Sequence, residues 1–453
     1  MRVHPRLNLA LTTVLRRPAL PIVLGFSGLI GIGTLLLVMP FSSESGESAD
    51  LVTALFTSTS AVCVTGLIVV DTPTYWSTAG EVVILGLIQL GGLGIMTVAS
   101  TLSLLMFRRF GLRLRLTAQA ETKALGMGDV RRMVSGIVVL SLVFEVVVLV
   151  LLTGRLILGY DLAPGRALYQ GLFYAVSAFN NAGFALHTDS LMRYAADPWF
   201  SLPICLAVFA GGLGFPVWIE LFRRLRGPHR MTMHVRITLL ATAVLIAGGW
   251  LSITVAEWNN PDTLAPMSWH AKLLVGFFTA LMPRSGGFNG IDIGSMNHSS
   301  LLVQDILMFI GGGSASTAGG IKVTTFALLA FVILAEVRGE PSVHVFGRKL
   351  PNTVQRQALT IVLIGVGAVV AATLALLAIS PFGLERSMFE AISAFATVGL
   401  STGITGELPP LGHVMLIGLM FIGRLGPITL ASALALRERS RRYELPEERP
   451  IVG

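Results

Sequence analysis

Apolar runs of roughly 20 residues recur near 19–39, 80–107, 133–158, 200–222, 236–256, 301–335, 357–380 and 411–436. Each is long enough to cross about 30 Å of hydrocarbon as an α-helix, so the pattern predicts eight spans in an all-α membrane protein. The first run is far longer than the apolar core of a secretory signal and lacks a convincing small-residue cleavage site, so it reads as a retained helix. Taken in pairs, the runs flank segments that are helical in pattern but too short to span: Ala49 to Thr59, Ala167 to Phe179, Trp269 to Leu281 and Arg386 to Ala396. After each comes a glycine-containing stretch: Val62-Cys63-Val64-Thr65-Gly66-Leu67, Asn180-Asn181-Ala182-Gly183-Phe184, Pro283-Arg284-Ser285-Gly286-Gly287-Phe288 and Thr397-Val398-Gly399-Leu400. The short helix enters and the chain returns.

One spacing makes these segments copies of a single unit. Phe56, Phe173, Phe277 and Phe389 lie ten residues before Gly66, Gly183, Gly287 and Gly399, and a further glycine follows 24 to 28 residues on, at Gly91, Gly211, Gly311 and Gly423. The motif returns after 117, 104 and 112 residues, as a repeat architecture requires. A lone glycine of this kind is normally a turn or packing residue; four at a fixed distance from a Phe share a role. The phenylalanines read as packing for the short helices. Ser60, Ser177 and Ser393, six residues before their glycines, read as packing or capping groups, and Leu281 takes that place in the third copy. The second glycines read as bends in the inner helices.

Composition agrees with a bilayer: 53% of residues are hydrophobic and 13% charged, well outside the range of a soluble domain. Charge orients the spans. Of 33 Lys and Arg, the segments 40–80, 155–198, 257–300 and 381–410 hold only Arg155, Arg166, Arg193, Lys272, Arg284 and Arg386. The opposite connections carry clusters such as Arg108, Arg109, Arg113 and Arg115, or Arg223, Arg224, Arg226 and Arg230. The positive-inside rule then places both termini in the cytoplasm. The net charge of +8 therefore needs no nucleic-acid partner; it fits topology and anionic membrane lipids, or a docking face for a soluble subunit. Cys63 and Cys205 are too few for a disulfide framework. No His-Glu-x-x-His motif occurs and no Ser, His and Asp set clusters within a repeat, which argues against an enzyme. The organisation expected is a cytoplasmic N-terminus (1–18), repeat 1 (19–110), a basic linker with repeat 2 (111–230), repeat 3 (231–338), a linker with repeat 4 (339–436) and a cytoplasmic tail (437–453).

Non-helical backbone at membrane depth must be buried in protein or line a water-filled cavity. Four such stretches around an axis would line one. An extended backbone can aim successive carbonyls at a line, and a carbonyl ring can replace the hydration shell of a monovalent cation. Each short helix would direct its partially negative C-terminal end toward that ion. The glycine stretches contain no acid, so coordination would rest on backbone oxygens and hydroxyls such as Thr65 and Thr397, which does not suit a divalent ion. The third inner helix is interrupted by Gly311-Gly312-Gly313-Ser314-Ala315-Ser316-Thr317-Ala318-Gly319-Gly320. At about 1 kcal/mol of lost helix propensity per glycine, this stretch predicts an intramembrane loop able to occlude the pathway. Arg424 and Lys322 lie in otherwise apolar inner helices, where an intramembrane charge faces a cavity or a partner. Glu145 reads as a packing acid satisfied by Gln89 or another polar group.

These residues carry a resemblance that covers almost the whole chain. Thr397-Val398-Gly399 resembles the filter of potassium channels, and the four pseudo-repeats of helix, pore loop and helix around a central pore are similar to the potassium-channel-like Trk/Ktr/HKT superfamily of cation transporters. Within it the chain is most similar to the Ktr-type (KtrB-like) membrane subunits. Eight spans suffice, and Gln89-Leu90-Gly91-Gly92-Leu93-Gly94 and Pro446-Glu447-Glu448-Arg449-Pro450-Ile451-Val452-Gly453 look Ktr-like. The resemblance implies a K+ filter of Val64-Thr65-Gly66, Asn181-Ala182-Gly183, Ser285-Gly286-Gly287 and Thr397-Val398-Gly399, with K+ held by the carbonyls of Thr65, Ala182, Gly286 and Val398. Gly at all four filter positions goes with potassium selectivity in this superfamily, and Ser at the first with sodium transport. The same resemblance makes residues 311–320 a gating loop, although Ser314 and Ala315 stand where many members have Pro and Gly, and makes Arg424 an electrostatic barrier beneath the filter with Lys322 nearby.

Also implied are inward K+ flux with Na+ dependence left open, a homodimer with a pore in each protomer, and a KtrA-like cytosolic ring of ATP- or ADP-binding regulatory subunits. The chain's own tail ending at Gly453 would assist the dimer. No Gly-rich nucleotide-binding βαβ unit occurs, so no nucleotide is expected on this chain. A sodium-selective or non-selective transporter of the same superfamily remains an alternative. So does a secondary transporter with an occluded midplane site, although all four repeats begin on the same side and the usual inverted repeats are missing.

Overall fold

The structure is a computed structural model, and its described residues are 20–109, 127–227 and 230–426. The expected cytoplasmic tails 1–18 and 437–453, and Arg113 and Arg115, lie outside the described residues. One order of helices occurs four times. Unit 1 has α1 (Leu20–Val38), a short α2 (Leu51–Val62) and α3 (Thr78–Arg109). Unit 2 has α4 (Met127–Tyr160), a short α5 (Pro164–Phe179) and α6 (Pro198–Leu213), followed directly by α7 (Phe215–Leu225). Unit 3 has α8 (Met233–Glu257), a short α9 (Trp269–Leu281) and two half-length helices, α10 (His298–Phe309) and α11 (Val323–Val337). Unit 4 has α12 (Asn352–Ile379), a short α13 (Leu384–Ala396) and α14 (Pro410–Leu425).

The first helix of a unit lies outermost. On α4, Val139, Val143, Val146 and Val150 are exposed, as are Leu359, Leu363, Val366, Val370 and Leu374 on α12. A girdle of large aliphatic side chains suits hydrocarbon rather than water. Among the described residues, Thr78–Val98, Met133–Tyr160, Met233–Glu257 and Asn352–Ile379 are long and apolar enough to cross a membrane, and the bent pair α6 and α7 makes a fifth. The chain is thus a multi-pass membrane protein. The expected run 301–335 is divided at residues 310–322, and α1, α11 and α14 are apolar but shorter.

The short helices form the centre. Phe56, Phe173 and Phe389 are fully buried on them, whereas in unit 3 the neighbouring Phe278 is buried and Phe277 packs edge-on against Trp250 at 5.8 Å. Packing between units is cyclic: α3 rests against α5, α6 against α9, α10 against α13, and α14 returns to α2. The second helix of each unit thereby supports the short helix of the next, so the four units surround one axis.

Polar groups inside this shell are paired locally. Glu145 on α4 accepts from Gln89 at 3.1 Å and 3.2 Å, from Ser141 at 2.7 Å and from Asn180 at 3.3 Å, which joins units 1 and 2 as the sequence predicts for Glu145 and Gln89. The linker between units 3 and 4 holds an element that periodicity does not announce, a hairpin of β1 (His344–Val345) and β2 (Arg348–Lys349). Its two-residue turn, Phe346-Gly347, has φ of +48° and +75°, the left-handed pair that matches strand twist.

Asp197 ties α4 to α6. Its carboxylate accepts from Arg155 Nε at 2.6 Å and the Tyr160 hydroxyl at 3.1 Å, and it caps α6 by accepting from the Trp199 amide at 3.1 Å. Asp197→Ala should lower the unfolding free energy by about 1–2 kcal/mol, chiefly through the lost cap. Because Arg155 is partly exposed, its ion pair adds little. Asp197→Asn, still able to cap, should cost less than Asp197→Ala in thermal unfolding in detergent; equal losses would place the stabilisation in the ion pair.

Candidate functional site

The short helices of units 1, 2 and 4 end in the same capped reversal. In unit 1 the Val64 amide donates to Ala61 O at 3.1 Å and the Thr65 amide to Ser60 O at 2.7 Å, the paired bonds of a Schellman cap. Asn181 to Ala178 with Ala182 to Ser177, and Thr397 to Ala394 with Val398 to Ser393, repeat it. The residue at the reversal is left-handed in every unit: φ is +53° at Val64, +62° at Asn181, +74° at Ser285 and +48° at Thr397. Glycine is the cheap residue there, and β-branched Val64 and Thr397 are strained choices that the surroundings must enforce. Two residues later φ is positive again, at Gly66 (+91°), Gly183 (+71°), Gly287 (+72°) and Gly399 (+96°).

The four glycines meet. A Cβ on Gly66 would overlap Ala182 O, one on Gly183 would overlap the Gly287 backbone, one on Gly287 would overlap Val398 O, and one on Gly399 would overlap Thr65 O, each within 3 Å. The cycle closes in chain order, each glycine facing the backbone of the next segment, with a carbonyl oxygen nearest at Gly66, Gly287 and Gly399. Ser60 and Ser393 accept from the Gly66 and Gly399 amides at 3.0 Å and 3.1 Å, so they fix the glycines and stay off the axis. In unit 3, where Leu281 replaces the serine, Met282 O accepts from Gly286 and Gly287 at 2.7 Å and 3.2 Å instead. The Thr65 and Thr397 hydroxyls are buried without a hydrogen-bond partner among the described residues.

Residues 311–320 lie against one side of this ring. The Gly319 amide donates to Ser285 Oγ at 3.1 Å, and that hydroxyl donates to Thr397 O at 2.9 Å, joining loop to ring. Thr317 Oγ1 lies 3.3 Å from Phe179 O and 3.0 Å from the side-chain amide of Asn181. The loop is also laced to α6: Gly313 N donates to Gly212 O at 2.8 Å and Thr317 N to Gly211 O at 3.2 Å. It closes on itself through Gly311 N to Ile321 O at 2.9 Å and Ser316 Oγ to Gly313 O at 2.6 Å, while Ser314 Oγ meets Thr324 Oγ1 at 3.0 Å. Ala315 and Gly320 turn it with φ of +58° and +67°. Arg424 is buried and donates through Nη1 to Thr317 O, and Lys322 Nζ donates to Ala318 O at 2.5 Å.

Residues 11–443 match the model of the TrkH family, described as cation transport proteins. The Ktr system potassium uptake protein B of Bacillus subtilis is 37% identical over 93% of this chain and 94% of its own length, and that of Vibrio alginolyticus is 38% identical over 95% and 94%. The chain belongs to the TrkH family of cation transport proteins. The potassium/sodium uptake protein NtpJ of Enterococcus hirae is 34% identical over 96% of the chain and 97% of its own length. The crystal structure of the potassium transporter TrkH from Vibrio parahaemolyticus shares the fold, with a TM-score of 0.70 over 91% of this chain and 84% of that one at 18% identity. Members of this family move ions and are not enzymes.

Three sequence readings change in this TrkH-family chain. In units 1, 2 and 4 the second glycines are not bends: α3 continues through Gly91, and α6 and α14 are capped three residues after Gly211 and Gly423, by Gly214 (φ +91°) and Gly426 (φ +81°). Gly91, Gly211 and Gly423 are instead places of close approach, because a Cβ would overlap the carbonyls of Val62, Phe179 and Phe395 at the ends of the short helices. The second inner helix is broken as well as the third, α7 turning 102° away from α6. Arg284, counted with the outer cations by position, is 5% exposed, and its Nη2 lies 3.4 Å from Thr242 Oγ1 and Gly311 O. Counting charges along the sequence cannot see that it points inward.

Two residues escaped the sequence reading although a signal was there. Glu390 and Tyr174 both precede their glycine by nine residues, and both brace the segment that leaves the ring. Glu390 accepts from Ser401, from Thr405 at 2.9 Å and from the Thr402 amide at 3.2 Å, while the Tyr174 hydroxyl accepts from the Leu186 amide at 3.3 Å and contacts His187. Crowding at the ring can be separated from backbone strain by two substitutions. Gly46 and Gly287 have the same φ of +72°, but a Cβ on Gly46 would meet nothing within 4 Å. Gly46→Ala should cost about 1–2 kcal/mol from its left-handed backbone, and Gly287→Ala a further 1–3 kcal/mol or so from overpacking, read as the difference between their unfolding midpoints.

Proposed function

We propose that this chain is the potassium-conducting membrane subunit of an uptake system, with the four converging segments as its selectivity filter. The observation that carries the reading is the closed cycle in which each of Gly66, Gly183, Gly287 and Gly399 faces the backbone of the next segment. Such a ring offers oxygens to a dehydrated monovalent cation, and the C-terminal ends of the short helices add partial negative charge around it. The filter comprises Val64, Thr65, Asn181, Ala182, Ser285, Gly286, Thr397 and Val398 with the four glycines, and the buried hydroxyls of Thr65 and Thr397 have lone pairs free for the ion. Glycine at all four positions, together with relatives named as potassium uptake proteins, favours K+. The name of the potassium/sodium relative keeps Na+ dependence under test.

In this reading the units cross the membrane twice each, α2, α5, α9 and α13 being pore helices, for eight spans in all. Residues 311–320 are the gate. Arg424, held on Thr317 O, places a guanidinium under the filter with Nε and Nη2 lacking a protein partner among the described residues, and its field opposes a cation that has left the filter. Lys322 adds a second positive charge on the same loop. Both termini lie in the cytoplasm, two protomers each carry a pore, and a KtrA-like ring binds nucleotide beneath them.

Gly66→Ser and Gly399→Ser should each reduce the preference for K+ over Na+ in proteoliposome flux, because a side chain at either position displaces Ala182 O or Thr65 O. Unchanged selectivity in both variants would sink the filter assignment. Shortening 313–318, or Arg424→Ala, should raise K+ flux; loss of flux in a protein that still folds would count against a gate.

A further inference from the structure

The chain turns through 102° at Gly214, so α7 leaves the direction of α6 and runs across it. Its first residues are anchored. The Phe215 amide donates to Ala315 O at 3.3 Å, a Cβ on Gly214 would overlap Ser314 O, and Trp218 Nε1 donates to Ala210 O at 2.9 Å. Val217 packs with Leu213 and Val235, and Phe215 with Met96 and Ile137. Leu221 is the last residue of α7 packed on these clusters among the described residues, and the Phe222 ring meets Trp218 of the same helix at 5.8 Å. Phe222 is 44% and Leu225 83% exposed, and Arg223, Arg224 and Arg226 are exposed among them. The carboxylate nearest in sequence, Glu220, accepts from the Thr232 amide at 3.0 Å.

A helix lying across a span, with cations interleaved with exposed aromatic and aliphatic side chains at its tip, has the chemistry of a bilayer interface. The apolar groups enter the acyl boundary and the cations meet anionic headgroups. We infer that the last turn of α7 docks on anionic phospholipid at the cytoplasmic surface and that, through the Phe215 to Ala315 bond, the seated helix biases the conformation of residues 311–320. The inference rests on the proposed reading of that loop as the gate and of this face as cytoplasmic. The lever is short. Ala315, at the point of attachment, is held at φ of +58°, so movement of Phe215 acts on a residue whose backbone is already strained. Hydrocarbon-facing Leu225 and Phe222 distinguish this surface from a purely electrostatic dock for a soluble protein, for which the arginines alone would serve.

Purified full-length protein answers the question in vesicles of phosphatidylcholine alone and of phosphatidylcholine mixed with phosphatidylglycerol. A spin label on Leu225→Cys, with the native Cys63 and Cys205 buried, reports collision with dissolved oxygen and with a water-soluble nickel chelate. In the anionic vesicles the label should gain oxygen contact and lose nickel contact by several-fold. Adding Arg223→Gln and Arg224→Gln should abolish that difference, since each basic residue near an anionic surface contributes on the order of five-fold. Wild-type K+ flux should differ several-fold between the two lipids, and the double-Gln protein should lose the dependence while keeping its preference for K+ over Na+. A label equally open to nickel in both vesicles would overturn the docking and leave a soluble partner as the occupant. A lipid-responsive label with lipid-independent flux would overturn the lever. Absence of flux from every sample would count against the proposed function, while the label would still decide whether the helix meets lipid.

Discussion

Each of Gly66, Gly183, Gly287 and Gly399 lies so close to the next segment around the axis that a methyl group in place of its hydrogen would overlap a backbone atom. That crowding sets much of the remaining architecture. Four chain reversals can approach this closely only if the residues at the contact have no side chain and can take positive φ, which glycine alone does at no cost. The reversals must also sit at one depth, and the short helices fix it. In units 1, 2 and 4 the short helix ends with the same cap five residues deep, and the second helix of the same unit is held against it by a second glycine beside the carbonyl of Val62, Phe179 or Phe395. Two sets of glycines therefore serve two contacts, one across the axis and one between helix and helix end.

Non-helical backbone inside a membrane protein must find its hydrogen bonds elsewhere. Residues 311–320 do so by borrowing partners from three units: Gly211 and Gly212 carbonyls in unit 2, Ser285 in unit 3 and Arg424 in unit 4. These bonds are few and spread over separate bodies. Arg424 and Lys322 satisfy the loop carbonyls of Thr317 and Ala318, and Nε and Nη2 of Arg424 have no hydrogen-bond partner among the described residues.

Much of this was legible in the sequence because the repeat leaves a mark that packing cannot erase. A ten-residue offset from Phe to Gly, written four times, located the ring, and five glycines in ten residues located the broken helix. What escaped was direction. Gly91 and Gly423 look like bends in a sequence, yet they lie in continuous helix because the absence of a side chain serves a neighbour's carbonyl rather than the local backbone. Arg284 counts as an outer cation by position, and only the fold turns it inward onto Gly311 O. The turn at Gly214 was hidden for a related reason: Gly-Gly-Leu-Gly reads the same at residues 91–94, where α3 continues, and at 211–214, where α6 stops. The contact with Ala315 that accompanies the turn comes from another unit.

The central claim is that a dehydrated cation sits between the four glycines. Anomalous scattering from crystals of the protein grown in rubidium tests it most directly, since rubidium substitutes for potassium and reports its own position. Density on the axis between Gly66, Gly183, Gly287 and Gly399 is the result expected. Ordered rubidium found only elsewhere, for example beside the buried carboxylates of Glu390 or Asp305, with none between the glycines, would contradict it.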